Sequence, residues 1–175
     1  MYKIKLVIFV ILTLFTAIAY LPLLIFFFPI RKYFGPILLQ IYCRICLVIF
    51  RVIIDADKNN GYSKKIKGII ISNHVCFLDI FILSALYGNI FVSKIEVMHY
   101  PLIGQIAWLI GIIFLRRDSP DERHKLISTV AMESQKHIIA IFPQGTTSSP
   151  DDPRPFKCGI FKTIEMNNKI ITTNA

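Results

Sequence analysis

Residues 6–30 form a run of 25 positions without a charge, in which only Thr13, Thr16, Pro22 and Pro29 interrupt the apolar character. As a helix this run would extend about 37 Å, enough for a ~30 Å hydrocarbon core. Lys3 and Lys5 precede it, and Arg31 and Lys32 follow it. A secretory signal is one alternative, because a basic start, an apolar stretch and Ala17-Ile18-Ala19 imitate its three regions. Against cleavage, the apolar run continues through Leu23-Leu24-Ile25-Phe26-Phe27-Phe28. The chain is therefore expected to keep this segment as a membrane anchor.

Charge points the same way. The 175 residues carry a net charge of +9, with 54% hydrophobic and 18% charged residues. That composition excludes disorder, and the length allows one domain with a short appendage. Four cysteines are too few for a disulfide-built scaffold. Half of the Lys and Arg residues lie within 1–67, opposed only by Asp55 and Asp57, whereas 68–175 is nearly balanced. The positive charge thus belongs to the most apolar part of the chain. Basic residues beside apolar helices suit an anionic leaflet. A nucleic-acid binder would interleave them with aromatics on a polar face, so no nucleic-acid partner is expected.

A second apolar segment, 36–54, carries Gln40, Arg44 and Arg51. On a helix these fall within about 40° of one another and make one narrow polar stripe. Pro36 suits a first helical turn. The stripe fits a core helix with snorkelling arginines. It equally fits a helix half-immersed in the interface, with its polar side toward headgroups or the globular part. One full span and a monotopic pair of helices both remain open. Cys43 and Cys46 form a C-x-x-C with no second pair at zinc-finger spacing, and read as packing residues. The expected organisation is an anchor of one or two helices over 1–56 and a globular domain over 57–175.

From Lys65 onward, short β-rich runs alternate with helical stretches, which is the α/β signature. Strands are expected at 66–72, 89–93, 111–115, 138–142 and 170–173, and helices at 75–87, 102–110, 120–136 and 157–166. The expected architecture is α/β, with helices packed on a central mixed or mostly parallel sheet. Ligands in such sheets bind at the carboxyl ends of the strands, and three strand ends carry chemistry. At the first, His74 and Asp79 meet if the histidine lies before the helix and the aspartate in its first turn. The carboxylate would then fix the imidazole's tautomer and leave the other nitrogen to take a proton. An N-capping Asn73 with a surface histidine fits the same residues. At the second, Arg116 and Arg117 offer guanidinium groups suited to phosphate, or simply a solvated edge. At the third, Gln144-Gly145-Thr146-Thr147-Ser148 forms a glycine turn rich in hydroxyls, able to hold an anion or to serve as an ordinary turn.

Some chemistries lack their motifs. There is no G-x-x-x-x-G-K-[ST], no G-x-G-x-x-G and no G-x-S-x-G nucleophile elbow. His99, His124 and His137 have no partners at ligand spacing, so no metal site and no bound cofactor are expected.

Taken in order, the three strand ends resemble the glycerolipid acyltransferase family, best known from 1-acylglycerol-3-phosphate acyltransferases. Asn73-His74-x4-Asp79 matches that family's catalytic motif. Phe114-Leu115-Arg116-Arg117 resembles its second block and Phe142-Pro143-Gln144-Gly145-Thr146 its third. Lys94, Glu96, Pro101, Gly104, Gly111 and the turn Phe156-Lys157-Cys158-Gly159 also fall where such proteins commonly have them. The resemblance implies transfer of an acyl group from acyl-CoA or acyl-carrier protein to a lysophospholipid hydroxyl, 1-acylglycerol-3-phosphate foremost. His74 would be the general base and Asp79 its orienting partner, with no covalent intermediate. Arg116 or Arg117 would hold the acceptor phosphate, helped by Gln144, Gly145 and Thr146. The catalytic half would face the cytosol from the membrane.

The sequence departs from the family pattern in three places. Gln144 stands where the family usually has glutamate, and Thr147 where many members have arginine. The threonine form occurs in branches that acylate other lysolipids, including lyso-ornithine lipid and lysophosphatidylcholine. The chain also stops at Ala175, where a fourth block with an apolar–proline–apolar strand is expected. An acyltransferase for another lysolipid and an inactive, shortened relative are the alternatives these departures leave.

Overall fold

A computed structural model describes residues 2–26, 31–55, 67–101, 103–116, 120–149, 151, 154–161 and 170–172. Two N-terminal helices, α1 (Tyr2–Phe26) and α2 (Arg31–Phe50), precede alternating strands and helices. These are β1 (Gly68–Ile71), α3 (Leu78–Tyr87), β2 (Ile90–Lys94), α4 (Ile103–Leu109), β3 (Ile113–Leu115), α5 (Pro120–Ser134), β4 (Ile138–Ile141) and β5 (Ile170–Thr172). Short 3-10 turns occupy Ile95–His99 and Cys158–Ile160. All five strands fall where the apolar runs predict them. The expected linker 57–65, Arg117 and most of the expected helix 157–166 lie outside the described residues.

The strands form one sheet in the order β3-β2-β4-β1-β5, and every pairing is parallel. Parallel strands covered on both faces need near-continuous apolar sequence, which Gly68-Ile69-Ile70-Ile71 and Ile138-Ile139-Ala140-Ile141 supply. Alternation then divides the strand side chains between two cores. Ile69, Ile71, Ile90, Ile139 and Ile141 pack with Val130 and Leu126 of α5. Ile70, Phe91 and Ala140 pack on the other face with Leu83 and Ile80 of α3 and Leu39 of α2. The sheet is thus sandwiched between α5 on one side and α2 and α3 on the other.

Helix α2 differs from expectation at both ends. It begins at Arg31, so Pro36 lies inside it rather than in its first turn. It stops at Phe50, because Arg51 adopts φ 57° and the chain closes with Arg51 N–H on the Val48 carbonyl and Val52 N–H on the Leu47 carbonyl. This is the Schellman arrangement with arginine at the left-handed position that glycine usually occupies. Arg51 therefore leaves the polar stripe, and the stripe consists of Gln40 and Arg44. Their target is protein. Gln40 Nε2 donates to the Ala85 and Leu86 carbonyls at 3.1 Å, and Arg44 Nε donates to the Ala85 carbonyl at 2.9 Å. Both side chains satisfy orphan carbonyls at the C-terminus of α3, where a positive charge also complements the helix dipole.

Beside these bonds, Cys43, Cys46 and Leu47 of α2 pack with Phe81 and Ala85 of α3 and with Phe9 and Leu12 of α1. The two cysteines are buried and unbridged, in the packing role read from their spacing. Within α2, the window Tyr33–Phe50 has a mean hydropathy of 1.8, long and apolar enough to cross a membrane, and 28% of it is buried in the protein. Ile37, Ile41, Ile45 and Val48 of this helix remain exposed, as do Val7, Ile11, Phe15 and Ile18 of α1.

Gly35 brings α2 against the end of α4. A Cβ there would lie 2.6 Å from Ile110 Cα, which is backbone and cannot rotate away. Gly35→Ala is accordingly expected to destabilise the protein by about 1–3 kcal/mol through overpacking, read as a lowered unfolding midpoint in detergent.

Candidate active site

Strands β1 and β4 are neighbours in register, with Ile71 opposite Ile141. Their carboxyl ends therefore deliver two loops side by side, Ser72-Asn73-His74 from β1 and Phe142-Pro143-Gln144 from β4. The histidine is held at four points. Its backbone N–H donates to Gln144 Oε1 at 2.7 Å, and its carbonyl accepts from Ser148 N–H at 2.8 Å. Its ring stacks on Phe142 with centroids 4.2 Å apart and planes at 16°. Its Nδ1 lies 2.9 Å from Asp79 Oδ2. Phe142 stacks in turn on Phe91 of β2, so the imidazole rests on a floor of two aromatic rings.

Asp79 reaches the histidine because α3 starts three residues later than expected, at Leu78 instead of position 75. Residues 75–77 stay outside the helix, and the amides of Val75 and Cys76 turn toward the carboxylate. Asp79 Oδ2 accepts from Val75 N–H at 2.7 Å and from Cys76 N–H at 2.9 Å, besides facing His74 Nδ1. The residue capping α3 is Phe77, with no side-chain cap bond, so Asn73 does not cap this helix. Burial is the largest influence on Asp79 and opposes its charge. The Cys76 N–H, the His74 ring and the Val75 N–H together outweigh it and hold the carboxyl below its ordinary value. An ionised Asp79 requires a donor at Nδ1. That fixes the neutral histidine with its proton on Nδ1 and leaves Nε2 as the basic atom.

The other expected residues occupy the same edge of the sheet in different ways. Gly145 has φ 74° and donates its N–H to the Phe142 carbonyl at 3.0 Å, closing the turn after β4. Only glycine adopts that conformation without cost. Thr146 and Thr147 are exposed. Gln144, by contrast, is only 4% exposed, and its amide faces protein. Arg116 is exposed at the end of β3, two strands from β4 and hence about 10 Å along the edge. Arg117 lies outside the described residues. Among the described residues, no three His, Cys, Asp or Glu side chains converge as metal ligands would.

Two contributors escaped the sequence reading. Ser148 looked like one more hydroxyl in a turn, and its main-chain bond to His74 depends on a register that only the fold reveals. Phe142 reads as the last apolar residue of a strand, with no signal that its ring supports an imidazole. Next to the site, an apolar cavity of about 230 Å³ lies between α1, α2 and α3. Phe77 and Leu78, which separate His74 from Asp79 in the chain, form part of its lining, together with Leu6, Phe9, Leu47 and Phe50.

The histidine–carboxylate pair thus lies at the carboxyl ends of a parallel sheet beside an apolar cavity. Residues 54–174 match the family model described as Acyltransferase, and the chain belongs to that family. It is 32% identical over 126 residues to a lyso-ornithine lipid O-acyltransferase of Rhodobacter capsulatus, covering 72% of this chain and 45% of that protein. It is 30% identical over 105 residues to a 1-acyl-sn-glycerol-3-phosphate acyltransferase of Neisseria gonorrhoeae, covering 59% and 41%. The chain thus spans less than half the length of these curated relatives. In fold it is similar to the crystal structure of the 1-acyl-sn-glycerophosphate (LPA) acyltransferase of Thermotoga maritima. The TM-score is 0.57 and the identity 16%, over 93% of this chain and 71% of that one.

The lowered Asp79 pKa sets the direction of an acid-stability effect. The folded state binds this proton less tightly than the unfolded chain. Its contribution is complete above the unfolded value of about 3.9 and is lost as pH falls through the lower folded value. Asp79→Asn is expected to be less stable near neutrality and to show a shallower loss below about pH 4, in unfolding midpoints measured across a pH series.

Proposed function

We propose that this chain transfers a fatty acyl group from acyl-CoA or acyl-carrier protein to the free hydroxyl of a lysophospholipid at a membrane surface. The observation that carries this reading is the 2.9 Å contact between His74 Nδ1 and Asp79 Oδ2, which leaves Nε2 basic. In the proposed reaction, Nε2 takes the hydroxyl proton as the oxygen attacks the thioester carbonyl. The tetrahedral oxyanion collapses, the carbon–sulfur bond breaks, and the departing thiolate takes the proton back from the imidazolium. No covalent enzyme intermediate forms. A thioester is already activated, so a positioned base and a held acceptor supply much of what the reaction still needs.

Arg116 and Arg117 are the candidates to hold the acceptor's anionic headgroup, with the Gly145-Thr146 turn assisting. The apolar cavity beside Phe77 and Leu78 suits a fatty chain. The exposed apolar faces of α1 and α2, together with the basic residues at their ends, support seating in a bilayer with the site on the cytosolic side. The headgroup has two readings. Relatives named for 1-acylglycerol-3-phosphate favour a phosphate monoester. Thr147, together with a relative named for lyso-ornithine lipid, favours an acceptor of that second kind.

The deciding assay offers labelled acyl-CoA and acyl-carrier protein to the full chain in native-like membranes, with a panel of lysolipids. Transfer is expected to a lysolipid of the panel and to no water-soluble alcohol, and His74→Ala is expected to lower kcat by about 10²–10⁴. A folded, membrane-bound wild-type chain without turnover would instead mark an inactive relative.

A further inference from the structure

Gln144 was read from sequence as an acceptor contact, yet none of its hydrogen-bonding groups faces open solvent. Its Oε1 accepts from His74 N–H at 2.7 Å. Its Nε2 donates to Ser148 Oγ at 3.0 Å and to the Arg154 carbonyl at 3.2 Å. The orientation of the amide is fixed by its neighbours, because a main-chain N–H demands an acceptor and a main-chain carbonyl demands a donor. Ser148 extends the same unit, with its N–H 2.8 Å and its Oγ 3.4 Å from the His74 carbonyl. The segment carrying Arg154 is held to the β4 exit a second time, by Lys157 N–H on the Pro143 carbonyl at 3.2 Å.

We propose that Gln144 is a positioning residue that clamps the His74 backbone, and that it is an amide because it must donate to Ser148 and Arg154 while accepting from His74. A glutamate side chain has the same length and could still accept from the His74 N–H. As a carboxylate it would point an oxygen at the Arg154 carbonyl, with no proton between them. As a neutral acid it regains one donor and relieves that contact. The clamp therefore works through hydrogen-bond direction, and it couples the 154–157 segment to the base. This assignment rests on the acyl-transfer reading for its kinetic consequence, although the clamp itself does not.

The test uses the full chain in native-like membranes, with Gln144→Met, which keeps the length and removes all three bonds, and Gln144→Glu. For Gln144→Met, kcat is expected to fall about tenfold or more, the size a lost hydrogen bond supports, while KM for the lysolipid stays within about twofold. Gln144→Glu is expected to be impaired near pH 8 and to recover relative to wild type as pH is lowered to about 6. Hydrogen exchange at the His74 amide, followed by mass spectrometry, is expected to be about tenfold faster in Gln144→Met. A raised KM with unchanged kcat would overturn the proposal in favour of an acceptor contact. Unchanged exchange at His74 would overturn it as well, and so would faster exchange with unaltered kcat. If wild type folds but shows no turnover, the acyl-transfer reading fails, and the exchange measurement alone still decides whether the clamp exists.

Discussion

The parallel pairing of β1 with β4 is the constraint on which the site depends. These strands are distant in sequence, and their register puts Ile71 beside Ile141. Everything after that point follows from adjacency. The chain leaving β1 presents a histidine whose backbone groups meet the chain leaving β4, and Phe142 comes up beneath the ring. A slip of one residue would exchange the two faces of the strand and break both buried clusters. The apolar sequence of both strands therefore protects the chemistry indirectly, by permitting one register.

Local signals carried far in this chain. The five strands stand out as short apolar runs, and the His74-x4-Asp79 spacing allowed a contact that the structure contains. What stayed hidden depends on long-range pairing or on where a helix begins. The start of α3 at Leu78 leaves Val75 and Cys76 in a turn whose amides converge on Asp79, a geometry that no residue spacing announces. Gln144 could be recognised as unusual from its neighbours in the chain, but its three partners come from residues 74, 148 and 154. No local pattern encodes such a set. The end of α2 was similarly illegible, because arginine at a left-handed position contradicts the glycine that normally announces a helix stop.

The polar stripe on α2 shows how a correct periodicity can leave its target open. Gln40 and Arg44 share a face, as the spacing required. Their partners are the last carbonyls of α3, at the opposite end of that helix from Asp79. The same helix therefore has its final turn capped by α2 and its first turn occupied by the carboxylate that orients His74.

That arrangement has a mechanical meaning. Helix α3 acts as a strut about 9 Å long between its α2 contact at Ala85 and the aspartate. The imidazole's partner is thus joined to the apolar N-terminal helices through a stiff, hydrogen-bonded rod, with Phe81 and Ala85 bonded along its length by packing. A pair of helices attached by a flexible tether would let the base wander with respect to whatever surrounds them. Here Asp79 and the carbonyls bonded by Gln40 and Arg44 belong to one helix, so the carboxylate that faces His74 is set in place by the same element that α2 holds.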